Sequence, residues 1–574
     1  MQHIIMDNRF EIYAILFCIL VLYEVIWSGT VHDDAQFYYL HGAEVCEKKS
    51  FLQLTWDALV GNMMRGRFFP LSIHAYFVYY IVHDNLMLYK SIIIIAVCVN
   101  IWQFGVLTYE IYNNKRVKII SMITLPAFFQ VYNTYHNAIL GYHLFMQIMV
   151  FFLLEILIHL QRYEKSTKKK DMIYVICWMI LSMMTYEIGF VYAGMILVVL
   201  LFKPQDIKRK IQELSMIIIP TLIMGIINLI LKKMYVVDYD GISVNFSLRT
   251  IMKTWIIQLI NAIPMTHVEF ARGDGTLPNN LMSYFSKIDL HMIITLVFFI
   301  LIYVKLNKCY PQVEENIRID YRWIVAPTMA LLGIGFLIAL TKKYQNELYL
   351  GISHISVYIE YFLLLYVVIA IAMSIFSRGK MALKKEIYVC VMIMVILSNM
   401  ICTKISVASI NATIKYRMLA VENALKNGIL DDVAEEETIL VTENDAWLNQ
   451  AFFAEFTGKK YNLITKSDLE TNPRVEIGSD RISILHFNAN ANNCMVVLGE
   501  DGMISEEGEI ECKEFTIYTD YNEENKIYYE DSIGQRNQLA YGDVNVVYND
   551  WRHILLKGVD NIGIQFDTFA LNWR

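Results

Sequence analysis

Apolar residues fall along this chain in blocks rather than in stripes. Ten blocks lie near 11–28, 86–111, 119–133, 143–161, 172–202, 214–232, 289–306, 324–341, 354–376 and 386–404. A helix rises 1.5 Å per residue, so about 20 apolar residues cross a hydrocarbon layer of roughly 30 Å. The pattern predicts membrane helices. The first block is read as a retained helix, because an A-x-A cleavage pattern is missing after it.

Five short basic loops separate the blocks: Lys115/Arg116/Lys118, Arg162/Lys165/Lys168/Lys169/Lys170, Lys203/Lys208/Arg209/Lys210, Lys305/Lys308/Arg318/Arg322 and Arg378/Lys380/Lys384/Lys385. Positive loops stay on the cytoplasmic side. The run 172–202, broken by Glu187, joins two of them and must cross an even number of times, which predicts a hairpin of two short helices. Residues 71–83 are too short to span, and counting them as a crossing would put every later basic loop outside; they read as an interfacial or re-entrant helix. The expected fold is a polytopic α-helical membrane protein of about eleven transmembrane helices in the plasma membrane, N-terminus cytoplasmic and C-terminus extracytoplasmic. Its outer stretches are 29–85, about 134–142, 233–288 and 342–353.

Beyond residue 404 the pattern changes. An amphipathic helical stretch over 410–427 precedes β-rich runs at 438–442, 482–487, 495–498, 514–518, 544–548 and 562–566, with turn signals at Asp501-Gly502 and Tyr541-Gly542-Asp543. The division predicted is a transmembrane domain, 1–404, followed by a mixed α/β, strand-rich extracytoplasmic domain, 405–574.

Composition supports this division. The chain has 574 residues, 56% of them hydrophobic and only 18% charged, against about 25% charge in ordinary globular proteins. A series of water-soluble domains is excluded. The net charge of -7 is uneven: residues 405–574 hold 14 Lys/Arg and 29 Asp/Glu, a balance of -15 that leaves +8 on the rest. No continuous basic surface for a phosphate backbone results, so nucleic acid is not an expected partner. The chain has no P-loop, Gly-rich nucleotide fingerprint, His-Glu-x-x-His, EF-hand loop or zinc spacing.

Candidate chemistry gathers in the expected outer segments. Just past the first helix come His32-Asp33-Asp34, followed by Tyr38. Adjacent carboxylates near a bilayer repel one another and lose water, which tends to make one of them a base; alternatively, Asp33 or Asp34 caps a short helix from Ala35. The same loop ends in Arg65-Gly66-Arg67-Phe68-Phe69-Pro70. The arginine forks suit a phosphate and Gly66 lets backbone approach an anion, although ordinary headgroup contact would use the same residues. Residues 52–64 have the spacing of a helix lying on the membrane surface, in contact with lipid. His136 and His143, among tyrosines, suit a sugar ring or an interfacial aromatic belt. Glu187 is an ionisable group within an apolar run, a site residue unless it lies at the water boundary. Lys342-Lys343-Tyr344 place positive charge in an outer loop, for a phosphate or for snorkelling at a helix end.

An acidic pair and a later basic element in the first outer loop, on about eleven helices with an outer tail, resemble the GT-C superfamily of polytopic glycosyltransferases, in particular the bacterial O-antigen glucosyltransferase type. The resemblance covers about residues 9–400 and carries over onto Asp33 and Asp34 as the catalytic pair, onto Gly66-Arg67, and onto Thr185-Tyr186-Glu187. It implies an inverting transfer of a hexose from a polyprenyl-phosphate-linked sugar to an extracytoplasmic polysaccharide or teichoic-acid-like acceptor. On that reading Asp33, or Asp34, is the base; Arg65, Arg67, Lys342 and Lys343 bind the donor phosphate; and Tyr38, His136, His143, Glu187 and Tyr344 bind sugar or acceptor. No cofactor is required, although Mg²⁺ or Mn²⁺ could bind at the acidic pair. The expectation is that the acidic pair and the arginines converge at the outer leaflet. A transporter or flippase, a polysaccharide polymerase or ligase, and a non-catalytic assembly factor are the rival readings.

Overall fold

A computed structural model describes residues 2–31, 34, 38–83, 85–131, 137–235, 243–268, 284–310, 320–376, 385–443, 445, 447–465, 468, 482–489, 494–504, 510–511, 514–520, 527–530, 536–538, 545–549, 553–560 and 563–566. The chain divides into two compact units. One holds 1–28, 55–78 and 85–409; the other holds 29–54, 79–84 and 410–574.

The helices in chain order are α1 Gln2–Val21, α2 Leu40–Glu47, α3 Phe51–Met64, α4 His74–Val82, α5 Leu86–Tyr112, α6 Lys115–Thr124, α7 Phe145–Ser166, α8 Lys169–Met183, α9 Gly189–Leu201, α10 Ile207–Met234, α11 Leu248–Asn261, α12 Leu290–Cys309, α13 Arg322–Leu340, α14 Lys342–Glu347, α15 Val357–Phe376, α16 Lys385–Ile410, α17 Tyr416–Lys426 and α18 Gln450–Thr457. Among the described residues seven are long and apolar enough to cross a membrane: Leu86–Tyr112, Phe145–Ser166, Ile207–Met234, Leu290–Cys309, Arg322–Leu340, Val357–Ser374 and the continuous stretch Glu386–Lys426. The protein is an integral membrane protein.

The other four expected crossings take different forms. α1 has 20 residues but carries Asp7, Arg9 and Glu11 in its first half. The block 119–133 yields only the ten-residue α6 and a 3-10 turn, Leu125–Phe128, that contains Pro126. Residues 172–202 form two short helices, α8 and α9, with 184–188 as the turn between them. Residues 71–83 are likewise a 3-10 turn leading into the nine-residue α4.

Local signals explain several boundaries. Asn113 ends α5 in the left-handed region at φ 47, and the next residue, Asn114, caps α6 by accepting the Val117 N–H. Asp289 caps α12 through the Met292 N–H. Within the membrane-spanning unit, buried polar side chains tie helices to irregular segments. Lys90 on α5 donates to the Leu140 carbonyl, Asn100 donates to the Gln147 carbonyl at 3.0 Å, and Gln147 donates to the Ala138 carbonyl at 2.6 Å. An unsatisfied polar group costs several kcal/mol in hydrocarbon, so these bonds fix the path of 137–147.

In the other unit the strands are β1 Thr438–Val441, β2 Asn462–Thr465, β3 Ile482–Ala489, β4 Cys494–Ile504, β5 Ile510–Glu511, β6 Glu514–Asp520, β7 Ile527–Glu530, β8 Arg536–Gln538, β9 Asn545–Asn549, β10 His553–Asp560 and β11 Gly563–Phe566. An eight-stranded sheet has the order β2-β1-β3-β4-β6-β10-β9 with β5 beside β4, and β11-β7-β8 form a second sheet. β1 pairs in parallel with both β2 and β3; the other pairings are antiparallel. α18 is the crossover from β1 to β2; its Phe452 packs edge-on against Trp447 with ring centroids 5.0 Å apart, and Trp447 in turn lies 5.6 Å from Phe487 of β3. α2 packs on α18 so closely that a Cβ on Gly42 would lie 1.8 Å from the Ala451 carbonyl oxygen.

Candidate active site

In the membrane-spanning unit, residues 65–71 are clamped from two sides. The Phe68 N–H donates to Asn228 Oδ1 of α10 at 2.8 Å, and the Leu71 N–H donates to the Met184 carbonyl in the α8–α9 turn at 3.1 Å. Gly66 makes the clamp possible. Its φ of +73 is left-handed, and a Cβ there would stand 3.0 Å from the Cα of Lys232. The clamped loop brings Arg67 to Glu187, Nε to Oε1 at 3.1 Å, with side chains 20% and 40% exposed. The guanidinium also lies over the Phe69 ring, 6.0 Å from its centroid. Arg65 is exposed beside it in sequence, and Lys232 and Lys233 end α10. This is a cationic loop next to one carboxylate, half open to solvent, and it suits an anionic oxygen.

An aromatic chain extends from this pair. Phe69 faces Tyr186 at 6.1 Å, Tyr186 meets Phe145 edge-on at 5.1 Å, and Phe145 stacks on His74 at 5.7 Å. His143 closes the group, 5.8 Å from His74 and 6.0 Å from Phe145. Three consecutive non-glycine residues, Tyr142, His143 and Leu144, hold φ values of 62, 37 and 69. Each such residue costs about 1–2 kcal/mol, and strain of this kind concentrates where a side chain is aimed for function. The His143 N–H donates to the Tyr89 hydroxyl at 2.9 Å. Burial, with His143 alongside, pushes the His74 pKa down to about 4, so His74 is a neutral ring at physiological pH. Its Nδ1 meets the Leu71 carbonyl at 2.8 Å.

Lys342, Lys343 and Tyr344 stand in a different setting. The Lys342 N–H donates to the Ser243 carbonyl at 2.9 Å, Lys343 pairs loosely with Glu347 at 4.0 Å on the same helix, and the Tyr344 ring packs against the buried His354 at 4.4 Å.

Asp34 belongs to the other unit. It has no solvent exposure, and its Oδ1 accepts the Tyr79 hydroxyl at 2.6 Å. Tyr79 is itself buried and meets Tyr38 edge-on at 6.0 Å, with Tyr39 behind at 5.2 Å from Tyr38. Tyr38 is thus part of an aromatic core around the acid. A carboxylate withdrawn from water is costly unless bonded, and the tyrosine supplies one such bond. Asp33 and His136 lie outside the described residues. Among the described residues no three His, Cys, Asp or Glu side chains gather as a metal would need.

Four groups at these places carry no conspicuous sequence signal: His74, Tyr79, Asn228 and Lys232. His74 and Tyr79 sit in a short aromatic helix that reads as interfacial. Asn228 and Lys232 fall in an apolar block and its basic end, and only the close approach of Gly66 reveals their position.

No protein-family model and no curated protein sequence matches the chain. Among solved structures it is similar to the archaeal oligosaccharyltransferase AglB from Archaeoglobus fulgidus in complex with an inhibitory peptide and a dolichol-phosphate, at 12% identity and a TM-score of 0.39, covering 96% of this chain and 76% of that one. It is also similar to an Archaeoglobus fulgidus oligosaccharyltransferase complexed with zinc and sulfate, at 11% identity and a TM-score of 0.39, covering 92% of this chain and 72% of that one. A third is ArnT from Cupriavidus metallidurans bound to undecaprenyl phosphate, at 10% identity and a TM-score of 0.35, covering 96% and 97%. Superpositions this loose assign neither activity nor substrate.

Proposed function

We propose that this protein is an inverting membrane glycosyltransferase that moves a hexose from a polyprenyl-phosphate donor to an extracytoplasmic polysaccharide or teichoic-acid-like acceptor. The observation that carries the reading is Asp34, a carboxylate without solvent exposure, fixed by the Tyr79 hydroxyl a short way past the first helix of a membrane protein. In the reaction, the carboxylate takes the proton of an acceptor hydroxyl as that oxygen bonds to the anomeric carbon. The bond from that carbon to the donor phosphate breaks, and the lipid phosphate leaves with the bonding pair. Arg67, oriented by Glu187, is the proposed donor-phosphate ligand through charge-assisted hydrogen bonds, with Arg65, Lys342 and Lys343 as further proposed cations. His143 and Tyr344 are the ring-shaped contacts proposed for sugar or acceptor.

The scheme requires no metal; were a divalent cation used, the Asp33–Asp34 pair would hold it. The proposed orientation has the N-terminus in the cytoplasm and residues 405–574 outside. Purified protein in lipid, given labelled polyprenyl-phosphate sugars and a glycan acceptor, tests the reading. Donor consumption with product formation, lowered about a hundredfold or more in Asp34→Asn with folding intact, is expected. Transfer unchanged in that variant rejects it.

A further inference from the structure

The strand-rich unit contains a second cluster of polar groups that the proposed transfer does not use. β1 lies between β2 and β3, all three parallel; the chain passes from β1 to β2 on one side and then returns to β3 on the other. Where the connections after adjacent parallel strands run to opposite sides, here from β1 to β2 and from β3 to β4, a crevice opens at their carboxyl ends, and ligands of open α/β sheets bind there. At that end of β1 come Thr442, Glu443 and Asp445, and level with Thr442 on β3 stands His486, whose Nδ1 is 2.8 Å from Thr442 Oγ1. Arg417 reaches over from α17, 2.8 Å from Glu443 Oε2 and 3.2 Å from Asp445 Oδ2, with its guanidinium 5.3 Å from the Phe487 ring. The three charged side chains are between 24% and 32% exposed, so they are open to a ligand while held in place. Beneath them lies the buried Trp447, whose indole N–H is next to Asp445 and, among the described residues, meets no acceptor in hydrogen-bond geometry.

The chemistry of the cluster selects the ligand class. Two carboxylates and no glycine in the loop after β1 repel a phosphate, and the side chain of Asn449 already occupies the Phe452 N–H at the start of α18. A simple cation is disfavoured because Arg417 already neutralises part of the charge. Burial pushes the His486 pKa down, so this ring is neutral. What remains is a fixed set of acceptors, one planar donor fork and a neutral hydroxyl–imidazole pair, which matches the adjacent hydroxyls of an uncharged sugar. We propose that the carboxyl end of β1 and β3 is a saccharide-binding site in which Arg417, Glu443, Asp445 and the Thr442–His486 pair receive the hydroxyls of one sugar ring. Its substrate class rests on the reading of the protein as a glycan-modifying transferase, with this site holding acceptor.

The test uses the full-length protein in lipid nanodiscs and saturation-transfer NMR with methyl glycosides of glucose, galactose, mannose and N-acetylglucosamine. At least one gives a saturable signal in the wild type, and Asp445→Asn, Glu443→Gln and Arg417→Lys each weaken it by about tenfold or more. Asp34→Asn leaves it in place, and inorganic phosphate does not compete. Tryptophan fluorescence and thermal unfolding confirm that the variants are folded. The proposal is overturned by no saturable signal from any of the four, by equal signals in the wild type and the three variants, or by a signal lost only in Asp34→Asn. Failure of the transferase reading shows separately, as binding intact with no donor consumed.

Discussion

The Tyr79 hydroxyl donates to Oδ1 of Asp34 at 2.6 Å, and neither side chain has appreciable access to water. A base held by a buried hydrogen bond depends in part on that bond for its direction. Asp34→Asn removes the proton acceptor and lowers transfer by about 10² to 10⁴-fold. Tyr79→Phe keeps the ring and loses the bond, lowering kcat by roughly ten- to a hundredfold. Steady-state kinetics with a lipid-linked donor distinguish the two, and equal, small effects would argue against Asp34 as the base.

Arg67 and Glu187 make a different prediction, because their ion pair is partly open to solvent. Such pairs add less than about 1 kcal/mol to stability. Arg67→Lys retains the charge but loses the planar fork, so the unfolding temperature hardly changes while the KM for donor rises about tenfold. Glu187→Gln has the same signature in weaker form. A large loss of stability without a kinetic effect would assign the pair a structural role.

Two histidines outside the membrane spans give the protein a pH window. Burial holds His74 down to about 4 and His267 down to about 3, whereas an unfolded chain protonates histidine near 6.5. Between those values the unfolded chain binds more protons, so stability is fully present above about pH 6.5 and falls as pH drops through the window. For His74 the loss is on the order of 3 kcal/mol by about pH 4. Thermal unfolding followed from neutral to acid pH tests this. His74→Gln flattens the dependence by about one proton, and an unchanged slope would show that the ring is not buried neutral.

At Gly42 the close contact allows no side chain. A Cβ would meet the Ala451 carbonyl oxygen at 1.8 Å and the Glu455 nitrogen at 2.6 Å, both backbone atoms of α18. Gly42→Ala therefore costs about 2 kcal/mol or more, despite the higher helix propensity of alanine. Chemical denaturation reads the change, and a stabilised Gly42→Ala would contradict the packing of α2 on α18.

The orientation is tested by cysteines placed at Ser247 and Lys168, both exposed, in a background without the native cysteines. A membrane-impermeant maleimide should label Ser247→Cys on intact cells and Lys168→Cys only after lysis. The reverse pattern would invert the proposed topology.

Much of the secondary structure was legible because it follows from local rules. The apolar blocks became helices, the hairpin at 172–202 came from charge on both sides, and the expected strand runs reappear as β1, β3, β4, β6, β9 and β11. β10 carried no clear alternation, since a register shift between Leu556 and Val559 places Lys557 and Gly558 at a bulge. β2 is only four residues long. The block at 119–133 looked long enough to span, yet Pro126 and a 3-10 turn end its regular helix early.

By itself the sequence determined that this is a membrane protein with an acidic, strand-rich tail, and it singled out Asp34, Arg67, His143 and Glu187 as polar groups in unusual places. Those conclusions need only hydropathy, charge and neighbouring residues, which act over a few positions of the chain. That Tyr79 serves Asp34, that Glu187 meets Arg67, that His74 is held neutral, and that Arg417 bridges two acids at the end of β1 was decided by tertiary structure alone. Hydrogen bonds and ion pairs act over about 3 Å between residues tens to more than a hundred positions apart, and no local pattern encodes which pairs packing brings within that reach.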